Sequence, residues 1–464
     1  MISSQINIQH LFWRAGFGPS PDKTSVVSLS DNIINLFKAS HKITLLEIKN
    51  WNPVLASELK NMNTDDRADY RKQERQARLQ INQDILDRYA FGEELLRNKM
   101  TFFWMGHFAC RIANPVFIAE YYNTINTNSL GNFGDLLKSM IRNGALLQYL
   151  NNNQNRKSSP NENFARELME LFTLGIGNYS EKDVREGARA LTGWGFDRSG
   201  KFMIRKEHHD TGSKEFLGEK GLFDGDDLVR IILEKKQCAR FITLKIYKFF
   251  VNEIPDETII NDLAEKFYNS GYDLQVLMKN IFTSEWFYAE KNIGSQIKSP
   301  IVLLTGIIKN FHVSFQNPMM GVQIQKVLGQ LFFDPPNVAG WPGGRAWIDS
   351  STLMYRMRLP EVLLQDAESI IAPKEDFDAQ ETLKPGSQTQ KKAKTIFDHT
   401  QFTKSFIKYP EAKRLDEMMN YILQIKPADD KIILINKLAT ERKSEEGILK
   451  SAIYIMSLPE YQLC

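Results

Sequence analysis

Apolar residues recur every three or four positions through most of this chain, while strict alternation of apolar and polar residues is scarce. One face of a helix repeats about every 3.6 residues, and one face of a strand every second residue. The spacing therefore predicts a mainly α fold, a multi-helix globular body with little sheet. With 464 residues, 42% of them hydrophobic and 25% charged, the chain has ordinary globular composition and enough length to bury a large core.

Caps and breakers divide the helical pattern. Ser180-Glu-Lys-Asp183 has the form of a capping box and predicts a helix running to about Leu191, stopped by Gly193 and Gly195. Pro255, Asp256 and Glu257 open another, with acidic side chains at its positive end. Thr64 to about Leu96 is a charged stretch that reads as one long helix with a solvated face. The expected non-helical insert is Trp194 to Gly218, a small β-hairpin turning at Arg198-Ser-Gly200 and carrying His208-His209-Asp210 in a loop. Residues 372–400 are rich in Lys, Gln, Thr and Asp and predict a flexible surface excursion. It separates a main helical body over 1–371 from a C-terminal helical segment over 401–464, which is expected to pack on that body. Helices are predicted there at about 411–424, 428–439 and 445–457.

Charge and cysteine usage exclude several function classes. The 59 basic and 56 acidic residues leave a net charge of +3, too little for a binder driven by broad basic charge, so there is no strong nucleic-acid signal. Cys110, Cys238 and Cys464 are far apart and fit no CxxC pattern, which predicts buried thiols rather than disulfides or a structural zinc site. No apolar run approaches the roughly 18 residues of a membrane span. The segment after Met1 lacks a basic stretch followed by an apolar one, so the chain as written reads as cytoplasmic, and as exported if it has been trimmed.

Candidate chemistry centres on Asn161-Glu-Asn-Phe-Ala-Arg-Glu-Leu-Met-Glu-Leu171. At about 100° per residue, Glu162, Asn163, Arg166, Glu170 and Thr173 share a polar arc with Glu167 at its edge, opposite Phe164, Ala165, Leu168, Met169, Leu171 and Phe172. One reading is a surface ladder, since Arg166 lies four residues from both Glu162 and Glu170. The other is a cleft in which Glu167 and Glu170 act as acid and base, with Glu162 and His107 as ligands of a divalent metal. His107 sits in the apolar run Thr101-Phe-Phe-Trp-Met-Gly-His-Phe-Ala-Cys110 and is expected near the core. His209 with Asp210 is a second acid–base candidate, because a carboxylate can orient an imidazole; an exposed polar loop is the plain alternative. Asp334 to Trp347 holds three prolines, three glycines and two tryptophans, which predicts a rigid loop that either walls a pocket with Trp341 and Trp347 or caps the core with aromatic packing. Arg166, Lys214 and Arg345 are the cations available to hold an anionic substrate. Asp224-Gly-Asp226-Asp227 reads as a helix cap rather than a calcium loop.

Several blocks together resemble a bacterial family known only as domain of unknown function 1800. They are His10-Leu-Phe-Trp-Arg-Ala-Gly-Phe-Gly-Pro19, Phe103-Trp104 with His107-Phe108, Glu162 to Gly175, Asp183 to Trp194, His209 to Lys214, Pro336 to Gly344 and Ser457 to Gln462. The resemblance spans nearly the whole chain and carries no established activity. It implies an exported or surface process, with a partner of alkaline-phosphatase-like fold, whereas this chain shows no signal. The chain also has Met105 where the family shows another histidine, so a metal site relying on that residue with His107 is incomplete here.

Two functional expectations follow. One is an enzyme of hydrolase or transferase type with a Glu/His/Asp cleft, possible metal dependence and a small-molecule or polymer substrate. The alternative is a non-catalytic binding or assembly protein whose polar motif residues form a structural network.

Overall fold

The computed structural model describes residues 2–21, 27–49, 51–54, 56–197, 200–365, 395–439 and 442–464. Helices dominate these residues, as the periodicity predicts, and the strands form only two-stranded antiparallel pairs. The Leu95–His107 helix is central for a simple reason. Leu96, Met100, Phe102, Phe103, Trp104 and Met105 are buried on several sides of it, and a helix apolar nearly all round has no face to give to solvent. Trp104 is fully buried, stacks on Phe133 with centroids 5.6 Å apart, and donates from Nε1 to the Ser129 carbonyl at 3.0 Å. Burial of a large side chain of this kind contributes roughly 1.5–3 kcal/mol. The Leu29–Ala39, Thr64–Phe91 and Pro115–Asn128 helices pack around it.

The long charged helix stops at Phe91 rather than continuing to Leu96. Gly92 leaves the helical path there, and a Cβ on it would lie 2.5 Å from the Arg88 carbonyl oxygen. The capping box at Ser180 and Asp183 forms and starts the Glu181–Ala190 helix. Asp224 caps the Gly225–Leu233 helix in the same way, with Asp227 as its reciprocal partner. Asp256 caps the Glu257–Asn269 helix. All three cysteines are buried free thiols.

The insert contains two hairpins where one was expected. Strands β1 (Trp194–Phe196) and β2 (Phe202–Ile204) pair first, with turn residues Arg198 and Ser199 outside the described residues. Strands β3 (Lys214–Phe216) and β4 (Glu219–Gly221) form the second, around Leu217 and Gly218, both at positive φ. Leucine rarely accepts that conformation, so composition gives no signal for this turn. A third pair joins β5 (Ser314–Phe315) to β6 (Thr395–Ile396). Residues 372–394 of the expected excursion lie outside the described residues.

Beyond β6 come the helices Thr400–Ile407, Glu411–Ile422, Asp429–Leu438 and Glu445–Met456. The first and last contact the Pro300–Phe311 and Ser350–Leu364 helices respectively. Among the described residues, no helix is long and apolar enough to cross a membrane.

Candidate functional site

The Asn163–Glu170 helix buries Phe164, Ala165, Leu168 and Met169 and leaves Glu162, Arg166, Glu167 and Glu170 half-buried. Thr173, placed by the helical wheel on the polar arc, is fully buried instead. The helix ends before it, and its hydroxyl turns back to donate to the Leu168 carbonyl at 2.6 Å.

The expected charge ladder forms only in part. Arg166 reaches Glu162 at 3.4 Å, but its closer partner is Glu181, the opening residue of the next helix, bound through both guanidinium nitrogens at 2.7 and 2.8 Å. Glu170 accepts a 2.5 Å hydrogen bond from the Tyr179 hydroxyl. Burial and that bond push the Tyr179 hydroxyl up to about 12.

Glu167 differs from its neighbours. Among the described residues, its carboxyl makes no hydrogen bond or ion pair. Burial raises its pKa above the usual carboxylate value, the nearby Glu170 raises it further, and Arg166 opposes both. Its surroundings come from separate parts of the chain. Tyr149, at the end of the Gly144–Tyr149 helix, has its hydroxyl pushed up mainly by burial, with the charges of Arg111, Asp334 and Glu167 all acting on it. Arg111 Nε bonds Asp334 at 2.9 Å, and its Nη2 donates to the Pro335 carbonyl at 3.2 Å.

That clamp holds the start of the proline- and glycine-rich loop. Further along, Gly340 has φ +86°, and a Cβ on it would come within 2.6 Å of the Gly106 carbonyl, so the loop backbone lies directly against the helix bearing His107. Trp347 is buried, Trp341 half-buried and Arg345 exposed. The tryptophans thus differ in role, and Arg345 stands at the surface.

His107 is a core residue. Its ring lies among Phe103, Trp104, Phe108 and Phe172, and Nε2 stands 3.1 Å from the Phe172 carbonyl, which assigns the proton to that nitrogen. Burial holds its pKa well below the usual histidine value, and the charge of Lys245 lowers it further. Lys245 is itself pushed down to about 8 by burial and donates to the Leu171 carbonyl at 2.8 Å.

His209 and Asp210 are held against the Glu181–Ala190 helix and the residues after it. His209 Nδ1 is 2.8 Å from the Thr192 carbonyl, and the Asp210 amide donates to the Thr192 hydroxyl at 2.8 Å. Arg189 binds the Asp210 carboxylate at 2.8 and 3.3 Å and also pairs with Glu186. Arg189 is the main reason that Asp210 sits below the usual carboxylate range. Lys214 is buried and donates to the Asp210 and Gly212 carbonyls at 2.7 and 3.0 Å. Among the described residues, no hydrogen bond or ion pair joins this group to Glu167, Glu170 or His107. Nor do three His, Cys, Asp or Glu side chains stand together as metal ligands among those residues, so His107 and Glu162 have no such group around them.

Arg111, Tyr149 and Tyr179 were not among the expected site residues, nor were Arg189 and Lys245. Each acts through a contact distant in sequence, and an isolated arginine or tyrosine gives no local pattern from which to read that contact. Asp334 did carry a signal, as the acidic residue opening the rigid loop.

A family model described as "Protein of unknown function (DUF1800)" matches residues 10–463. The chain belongs to the DUF1800 family. No curated protein and no solved structure matches it. In this DUF1800 protein the matched span includes every candidate residue described above, from His107 to Trp347.

Proposed function

We propose that this protein is an acid–base enzyme of hydrolase or transferase type, with Glu167 as its proton-transfer group and a small molecule or polymer as substrate. One observation carries the reading: Glu167 is a half-buried carboxyl with no protein partner among the described residues and a raised pKa. A half-buried carboxyl without a partner, beside carboxylates that are paired, keeps its proton to a higher pH than an ordinary carboxyl and is free to deliver it. Tyr149, on which the charges of Glu167, Arg111 and Asp334 all act, is the polar neighbour from a separate part of the chain. Glu170, bonded to Tyr179, sets the field at Glu167. The partner of alkaline-phosphatase-like fold implied by the resemblance belongs to the same proposal.

The test is turnover of chromogenic glycosides, esters and phosphoesters by the parent chain, Glu167→Gln and Glu162→Gln. Loss of roughly 100-fold or more in Glu167→Gln alone is expected for a general acid or base. An activity that Glu167→Gln retains in full, or no turnover of any of these classes, contradicts the reading.

The second reading, a non-catalytic binding or assembly protein, is favoured by a different observation. His209, Asp210 and Lys214, the other expected catalytic and anion-holding groups, bond to Thr192, Arg189 and backbone carbonyls in a way that fixes the insert to the body.

A further inference from the structure

Beside the first hairpin, the loop after the Gly144–Tyr149 helix and the segment leading to His209 enclose an open polar cleft of about 270 Å³. It is far larger than the roughly 10–15 Å³ that one water needs, more than a bare oxyanion fills, and near the lower end of ordinary ligand sites. Arg156, Arg205 and His208 line it, together with Asn153, Gly193 and Phe196.

Among the described residues, no carboxylate pairs with either arginine of this cleft. Arg189, Arg166 and Arg230 each hold two or more carboxylates. The one side-chain bond that Arg205 makes among the described residues goes to the Phe196 carbonyl at 3.1 Å. Asn153 lines the same cleft and is half-buried, its Oδ1 turned inward and its side-chain nitrogen without a hydrogen-bond acceptor among the described residues.

The frame around these groups is rigid. Asn155 donates to Asn152 and to the Ala188 carbonyl, and accepts from the Asn161 amide. The Lys157 amide donates to the His208 carbonyl at 2.8 Å, which ties one wall to the other. Two glycines make the arrangement possible. A Cβ on Gly193 would lie 2.5 Å from the Arg205 carbonyl, and one on Gly195 would lie 2.5 Å from Arg205 Nη1, so the guanidinium rests over bare backbone.

We propose that this cleft binds a sugar-sized oxyanion, a hydroxylated body bearing a phosphate, sulfate or carboxylate. Arg156, Arg205 and His208 take the anionic group, the Asn153 side-chain nitrogen donates to a hydroxyl, and the Phe196 ring covers an apolar face of the ligand. The site is separate from Glu167 and does not depend on its role.

Titration calorimetry of the full chain with glucose 6-phosphate, glucuronate, glucose and inorganic phosphate, at physiological ionic strength, tests this. At least one charged sugar is expected to bind at least tenfold more tightly than glucose or inorganic phosphate. Arg156→Gln, at an exposed position, is expected to weaken it at least tenfold without loss of folding, and Arg205→Gln likewise, whereas Arg185→Gln leaves it unchanged. Binding of the phosphate or the carboxylate sugar alone supports the site and names its headgroup. Failure of both charged sugars to bind, equal binding of inorganic phosphate, or insensitivity to Arg156→Gln overturns the proposal.

Discussion

The Lys245 ammonium donates a 2.8 Å hydrogen bond to the carbonyl of Leu171, the residue that closes the Asn163–Glu170 helix. A cation at a helix C-terminus is favourable, yet burial lowers this one to about 8 from the usual 10.5. Between those values the unfolded chain holds a proton that the folded chain has released, so stability rises with pH. The contribution is fully present above about 10.5 and is lost as pH falls through about 8. Urea denaturation is therefore expected to show the parent chain gaining on Lys245→Met across that window. A constant difference between the two would show that Lys245 does not titrate there.

Arg189 and Asp210 are expected to act as a structural pair. Asp210→Ala and Arg189→Met should each lower unfolding free energy by about 1.5–3 kcal/mol, the range for hydrogen bonds to charged groups. The double variant should fall short of their sum by about 0.5 kcal/mol or more. Strict additivity in denaturation curves would mean that the two side chains do not hold each other in solution.

Gly193 and Gly195 should respond differently to alanine. At Gly193 the new Cβ meets backbone, and φ is +74°, so a loss of about 1–3 kcal/mol is expected. At Gly195 it meets only the end of the Arg205 side chain, which can swing away. Thermal unfolding should separate them, with Gly195→Ala close to the parent and Gly193→Ala clearly lower. Equal melting temperatures would contradict the close backbone approach at Gly193.

Much of the fold was legible because its signals are local. The capping box at Ser180, the caps at Asp224 and Asp256, and the terminal helices near 411, 429 and 445 lie within a residue or two of their expected places. The site was less legible because its partners are distant in sequence. Arg166 sits four residues from Glu170, yet it binds Glu181 because the following helix folds back alongside. Glu170 is taken by Tyr179, which leaves Glu167, placed at the edge of the polar arc, as the carboxyl without a partner among the described residues. Periodicity reports which face of a helix is polar, and it carries no information about what packs against that face.

Glu167 should cost the folded protein stability. Its folded pKa lies above the usual 4.5, so the folded chain holds more protons than the unfolded chain between the two values. Stability falls as pH rises through that window, and the full penalty remains above it. Glu167→Gln is expected to melt higher than the parent at neutral pH, with the advantage vanishing below about 4.5. A variant that melts lower at neutral pH would assign Glu167 a structural partner instead.

The most direct measurement is a pH titration of the Glu167 side-chain carboxyl carbon by NMR, assigned by loss of the resonance in Glu167→Gln. A midpoint clearly above 4.5 is the predicted result, since burial and Glu170 both disfavour the charged form. A midpoint at or below 4.5 would mean that the carboxylate is solvated or paired, and would contradict its assignment as the proton-transfer group.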